Sequence, residues 1–141
     1  MQRDEKRWWV AGAVLGFLAV LTGAFGSHGL KPLLAPLGAA VAAKRMEVWE
    51  IACRYAAFHA LALLGTGALA ARARGGAVTV AGAGFFLGTI VFSGTLWLYG
   101  LTGARWLGMI TPLGGLGLLV AWCALAYAAA RAPGPEVAPG A

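Results

Sequence analysis

The sequence predicts an all-α fold, a four-helix transmembrane bundle with both termini on the same, cytoplasmic side. Two observations carry this. The 141 residues are 60% hydrophobic and only 11% charged, with a mean hydropathy of +0.78, whereas a soluble domain carries roughly 25% charged residues to cover its surface. Four stretches, residues 8–30, 55–71, 75–104 and 106–130, contain no Asp, Glu, Lys or Arg, and a ~30 Å hydrocarbon core needs about 20 such residues in a helix. Lipid offers a bare backbone no hydrogen-bond partner, so apolar segments of this length span as helices. The same composition excludes a disordered chain. The basic residues give a net charge of +6 but are scattered, not gathered into a stripe that would bind nucleic acid.

Taken in order, the predicted spans cover about 8–29, 47–71, 77–101 and 110–130 of a single domain, 1–141. The first follows Arg3, Lys6 and Arg7, a start shared with signal peptides. Its apolar run is too long for an h-region, and no small-x-small cleavage site ends it. Lys31-Pro32 and Pro36 break the chain after it. One helix then starts just after Pro36 and runs to Ala71. Its first half carries Lys44, Arg45, Glu47, Glu50 and Arg54, so residues 31–46 read as an extracytoplasmic amphipathic connector. Gly75-Gly76 and Thr102-Gly103 separate the next two spans. Pro112 opens the fourth, with Thr111 as its cap. Residues 133–141, with Pro, Gly and one Glu, read as a flexible tail.

Orientation follows from the cations at helix ends. Arg3, Lys6, Arg7, Arg72, Arg74 and Arg131 lie on the side of the termini; Lys31, Lys44, Arg45, Arg54 and Arg105 lie on the other. The first six sit on short segments close to helix ends, which places that side in the cytoplasm. Trp8, Trp9, Trp49, Trp97, Tyr99 and Trp106 fall near the expected interfaces, as an aromatic belt does. Gly12 with Gly16, and Gly84 with Gly88, have the small-xxx-small spacing of close helix contacts. They fit a packing face inside the bundle or a homodimer face.

Polar groups inside the spans mark the candidate site, because they are costly there. With the termini in the cytoplasm, His28, Glu50, Arg54, His59, Ser93 and Thr111 all fall in the outer half. Glu50 and Arg54 are spaced i,i+4 and His59 lies deeper on the same helix, so a polar notch opening outward is one reading. The other is structural: Arg54 snorkels, Glu50 neutralises it, and the hydroxyls bond to their own backbones. His28, His59, Cys53 and Met46 are ligand types but show no ligand spacing, so no metal or haem is expected. Cys53 and Cys123 fall at different depths, too far apart for a disulfide. No nucleophile–base set and no phosphate-cradling loop is present, which points away from an enzyme and from a cofactor.

Several motifs resemble a known family. Residues 23–30 (GAFGSHGL), Trp49-Glu50 with Arg54-Tyr55, residues 58–64 (FHALALL), residues 92–96 (FSGTL) and residues 110–115 (ITPLGG) with Trp122 occur in order across all four helices. Together they resemble the YgdD-like small multipass membrane proteins, relatives of domain of unknown function 423 and of transmembrane protein 256. The resemblance implies a bacterial inner-membrane protein and supplies no activity. Ala56 and Ser27 depart from the family's usual Gln and Ala, and the segment 32–44 is longer than usual. The functional expectation is a non-enzymatic structural or accessory membrane component, in the bilayer with itself or another membrane protein as partner. The alternative is a small-solute or proton-linked transporter that uses the outward notch.

Overall fold

The computed structural model describes residues 3–73 and 75–133. Arg74 and the tail from 134 onward lie outside the described residues. Among those described there is no strand. Helix α1 (Arg3–Phe25) runs through a π-helical turn (Gly26–Leu30) into the short α2 (Lys31–Leu34) and a 3-10 turn (Ala35–Leu37), forming one rod. Three more rods follow: α3 (Ala39–Ala70), α4 (Gly76–Thr102) and α5 (Leu107–Ala130). The first packs along α3, α3 along α4 and α4 along α5, so the bundle folds back and forth with α3 and α4 at its centre.

Three rods, Glu5–Leu37, Gly76–Thr102 and Leu107–Ala130, are long and apolar enough to cross a membrane. The 32-residue α3 is longer than α4 or α5 but carries charges through its first half. Its neighbours place it in the same layer, since Gly12 of α1 lies against Ala60 and Leu64 and the ring of Phe85 in α4 sits 5.7 Å from that of His59. Large apolar side chains such as Phe17, Leu61, Leu113 and Met109 stay exposed on the outside, which is the surface lipid covers.

Two prolines sit differently from the sequence expectation. Pro32 does not end the first rod. In the π turn the N–H of Lys31 bonds to the carbonyl of Gly26, and Pro32 falls in the first turn of α2, where a missing N–H costs little. Pro112 does not open α5 but lies inside it, five residues after Leu107. Thr111 accordingly is no cap: its hydroxyl donates back to the Leu107 carbonyl at 3.0 Å, while the carbonyl that Pro112 leaves without its N–H is that of Gly108.

Glycines set the distances between rods. A Cβ on Gly12 would meet the Ala60 carbonyl at 2.9 Å, and one on Gly16 would touch Ala60. Cβ atoms on Gly84 and Gly88 would meet the carbonyls of Gly117 and Gly114, each at 3.1 Å. Both glycine pairs therefore face neighbouring helices within the bundle, α1 on α3 and α4 on α5. Gly26 and Gly100 form a seat for the Trp49 ring, and Gly82 a seat for Trp8. Trp8 and Trp49 are consequently buried, each 4% exposed, and act as interior wedges instead of belt residues. Trp9 and Trp106 remain on the outside.

One end of the bundle gathers the start of α1, the α3–α4 turn and the end of α5: Trp9 lies on Gly67, Trp8 on Gly82, and Tyr127 and Arg131 border the same depression as Arg72 and Val78. At the other end Arg45 of α3 donates to the carbonyls of Leu101 (3.3 Å) and Thr102 (3.0 Å), placing a cation on the negative end of α4. Nearby, the Lys44 ammonium lies 2.9 Å from the Glu47 carboxylate, whose hydrogen bond and charge hold it above the usual lysine range.

The glycine contacts make a direct prediction. A methyl group at Gly114 would meet the Phe92 amide nitrogen at 2.5 Å and the Gly88 carbonyl at 2.9 Å, backbone atoms that cannot turn aside. Gly114→Ala should therefore lower stability by about 1–3 kcal/mol. Gly65→Ala meets nothing within 4 Å and should be neutral or stabilising by about 0.5–1 kcal/mol. Unfolding in mixed detergent micelles followed by circular dichroism checks both.

Candidate functional site: a groove beside His59

Helices α3 and α5 meet chiefly through side chains. His59 of α3 is buried, with its ring 5.7 Å from Phe85 and 6.2 Å from Trp122. Its Nδ1 lies 2.7 Å from the Tyr55 carbonyl, one turn back on the same helix. The Trp122 indole N–H points to its Nε2 at 3.4 Å. A carbonyl only accepts and an indole N–H only donates, so both contacts are satisfied together by the neutral ring with its proton on Nδ1. The Trp122 contact is long for a hydrogen bond, and packing against Phe85 at 4.9 Å, edge to face, holds that ring as well.

Two depressions open to either side of this contact and share Tyr55, His59 and Trp122. One, of about 800 Å³, runs between Arg54 and Phe58 at one end and Gly65 and Leu125 at the other. The second, of about 590 Å³, is bounded by Phe92, Pro112 and Leu119. Arg54 stands in the wall of the first depression alone, and the lining of the second carries no Asp, Glu, Lys or Arg. Together they form a lateral groove with aromatic walls and one cation at its rim.

The six polar candidates do not gather in one cavity. His28 is exposed on the π turn. Glu50 borders a separate depression with Ser27, Lys31 and Met46, and it forms no ion pair with Arg54 among the described residues. Four residues leave the two on neighbouring positions of α3, about 6 Å apart along its axis, and their side chains part, Glu50 toward the depression by the π turn and Arg54 toward the groove beside α5. Ser93 is fully buried, and its hydroxyl finds no partner among the described residues. Thr111 pairs at 2.8 Å with Thr95, a residue the sequence reading passed over. Cys53 is held elsewhere, 3.4 Å from both the Trp97 indole and the Thr22 hydroxyl, and both cysteines are free thiols. No group of three His, Cys, Asp or Glu able to hold a metal occurs among the described residues.

Tyr55, Thr95, Trp122 and Arg45 were missed as a set because each acts across helices. Their partners on other helices, Phe92 in the case of Tyr55, lie from 16 to 63 residues away in the chain, and no spacing rule links them until the helix order is known. A signal existed for Tyr55, Thr95 and Trp122, which all lie in the family-like motifs.

The family model for Protein of unknown function (DUF423) matches residues 22–115. The chain belongs to the DUF423 family. It is 37% identical over 127 residues to the UPF0382 membrane protein YwdK of Bacillus subtilis, an alignment covering 89% of this chain and 98% of the relative. It is 38% identical over 122 residues to the UPF0382 membrane protein SH2409 of Staphylococcus haemolyticus, covering 85% and 92%. No solved structure matches the chain. This DUF423 protein is thus a multipass membrane protein, in agreement with its helices and with the resemblance read from its motifs. The matched region holds Arg54, Tyr55, His59, Thr95 and Thr111, while Trp122 falls outside it.

The Thr95–Thr111 bond is the polar link between α4 and α5 best suited to measurement. In a double-mutant cycle, Thr95→Val and Thr111→Val should show a coupling of about 0.5–1 kcal/mol, because each hydroxyl keeps a carbonyl on its own helix when the other is lost. Additive effects in detergent unfolding would show that the pair contributes nothing across the interface.

Proposed function

We propose that this DUF423 protein is a non-enzymatic structural or accessory component that works by presenting a helix-binding face within the bilayer. One observation carries the reading: the outer surface between α4 and α5 is a shallow apolar groove of about 640 Å³, floored by Gly84, Gly88, Gly114 and Gly117 and rimmed by Leu87 and Leu113. The glycines draw α4 and α5 together. The groove that remains between the two rods is walled by Leu87, Leu113, Leu116 and Val120, an apolar face into which a further helix can pack, which is how association is gained where lipid removes the hydrophobic drive. The threonines inside the spans support the same reading, since Thr22, Thr66, Thr89 and Thr95 donate to carbonyls of their own helices and line no polar path. The termini belong in the cytoplasm in this reading, because Lys6, Arg7, Arg72 and Arg131 stand at that end of the bundle.

The alternative, a carrier with an outward polar notch, rested on Glu50, Arg54 and His59 acting together. The two charges turn to different flanks and both ring nitrogens of His59 are engaged. No observation favours it.

Cysteine crosslinking in intact membranes tests the proposal. In a Cys123→Ser background, Leu87→Cys or Leu113→Cys should give one adduct of defined mass, with a second copy or another membrane protein. Phe17→Cys, on the exposed face of α1, should give none. Equal labelling of both faces, or monomer throughout, would overturn the helix-binding face.

A further inference from the structure

Arg54 occupies an unusual place. The guanidinium of Arg45 marks the end of α4 by bonding the Leu101 and Thr102 carbonyls. Arg54 follows nine residues later on α3, about 13 Å further into the bundle at the helical rise. It is exposed there, and it has no ion-pair partner among the described residues. α4 has 27 residues, about 40 Å, and so outruns a ~30 Å hydrocarbon core. Arg54 therefore lies just below the edge of the core, where a long cationic side chain snorkels to the head-group level and meets an anion. Arginine answers best to phosphate, whose oxygens match its planar fork of donors.

The groove leading inward from Arg54 has the shape of the other half of such a ligand. Between Arg54 and Gly65 it runs eleven residues along α3, about 16 Å, long enough to seat most of one extended acyl chain. Phe58 and Leu61 line it on α3, with Trp122 and Leu125 opposite on α5. Gly65 leaves its inner end open, for a Cβ there would meet nothing within 4 Å.

We propose that the α3–α5 groove is a binding site for one anionic phospholipid, drawn from the leaflet in which Arg54 lies. The phosphate sits on the Arg54 guanidinium and one acyl chain fills the groove past Phe58 to Gly65. The site is independent of the α4–α5 helix-binding face and stands whether or not that face has a partner.

Native mass spectrometry of the full chain in a mild non-ionic detergent, titrated with phosphatidylglycerol or phosphatidylcholine, tests it. Wild type should bind the first phosphatidylglycerol about fivefold more tightly than phosphatidylcholine, the scale of one basic residue acting on an anionic lipid. R54Q should abolish that preference, and R54K should retain part of it. R105Q, which removes an exposed cation from the α4–α5 turn, should leave it intact. G65W should weaken both lipids by blocking the chain, whereas G23W, at an equally open glycine of α1, should weaken neither. If R54Q is poorly folded, R54K and G65W decide. Unchanged preference in R54K and unchanged binding in G65W would overturn the proposal. So would displacement of the lipid by excess inorganic phosphate, which would reassign Arg54 to a free anion.

Discussion

Backbone-to-backbone approach at glycine is the constraint on which this structure rests. Inside a bilayer the tails of lipids are as apolar as leucine, so burying a side chain between helices gains nothing from water. What remains is van der Waals contact, and it is greatest where no side chain holds the rods apart. α4 and α5 meet through Gly84, Gly88, Gly114 and Gly117, with Gly114 so close to the Phe92 amide that even a methyl group would collide. The same residue type takes up the largest side chains, for Trp49 lies between Gly26 and Gly100, and Trp8 lies on Gly82. Close rods and seated tryptophans are two uses of one property, the absence of a Cβ.

The polar groups follow from this packing. With the rods so close, the Thr66 and Thr89 hydroxyls donate to the carbonyl four residues back, while Thr95 and Thr111 meet across α4 and α5 and Thr22 reaches Cys53 across α1 and α3. The π turn has a comparable origin. Where the ladder of the first rod changes pitch, the Trp49 indole donates to the Thr22 carbonyl at 2.8 Å, joining the turn to α3. α3 and α5 lack the glycine contact that joins α4 to α5, and the space between them is bridged by His59 and Trp122 and otherwise left as a groove. The bundle is tight where glycines face each other and open where aromatic residues must reach across.

Membership of the DUF423 family agrees with this division. The matched residues 22–115 take in the π turn, all of α3 and α4, and the start of α5 through Gly114, with Gly117 just beyond. The part of α5 that carries Trp122 and closes the groove lies beyond.

Much of the fold was legible from the chain alone. Uncharged stretches gave away the rods because helical membrane segments must satisfy their own backbone, and glycine spacing identified Gly12, Gly16, Gly84 and Gly88 as contact residues. The misreadings were local and had local causes: Pro32 and Pro112 were taken as boundaries, because neither a π turn nor a helix that carries a proline inside it leaves a pattern in the sequence. For the site, residue types and depth picked out Arg54, His59 and Thr111, while Tyr55, Thr95 and Trp122 entered only with their partners. Composition and backbone hydrogen-bonding determined by themselves that this protein is a helical bundle in a membrane, since lipid permits an apolar chain little else. Only the tertiary structure decided which polar groups meet, because one residue of helix turns a side chain by about 100° and the rotation of each rod is set by the neighbours against which its glycines come to rest.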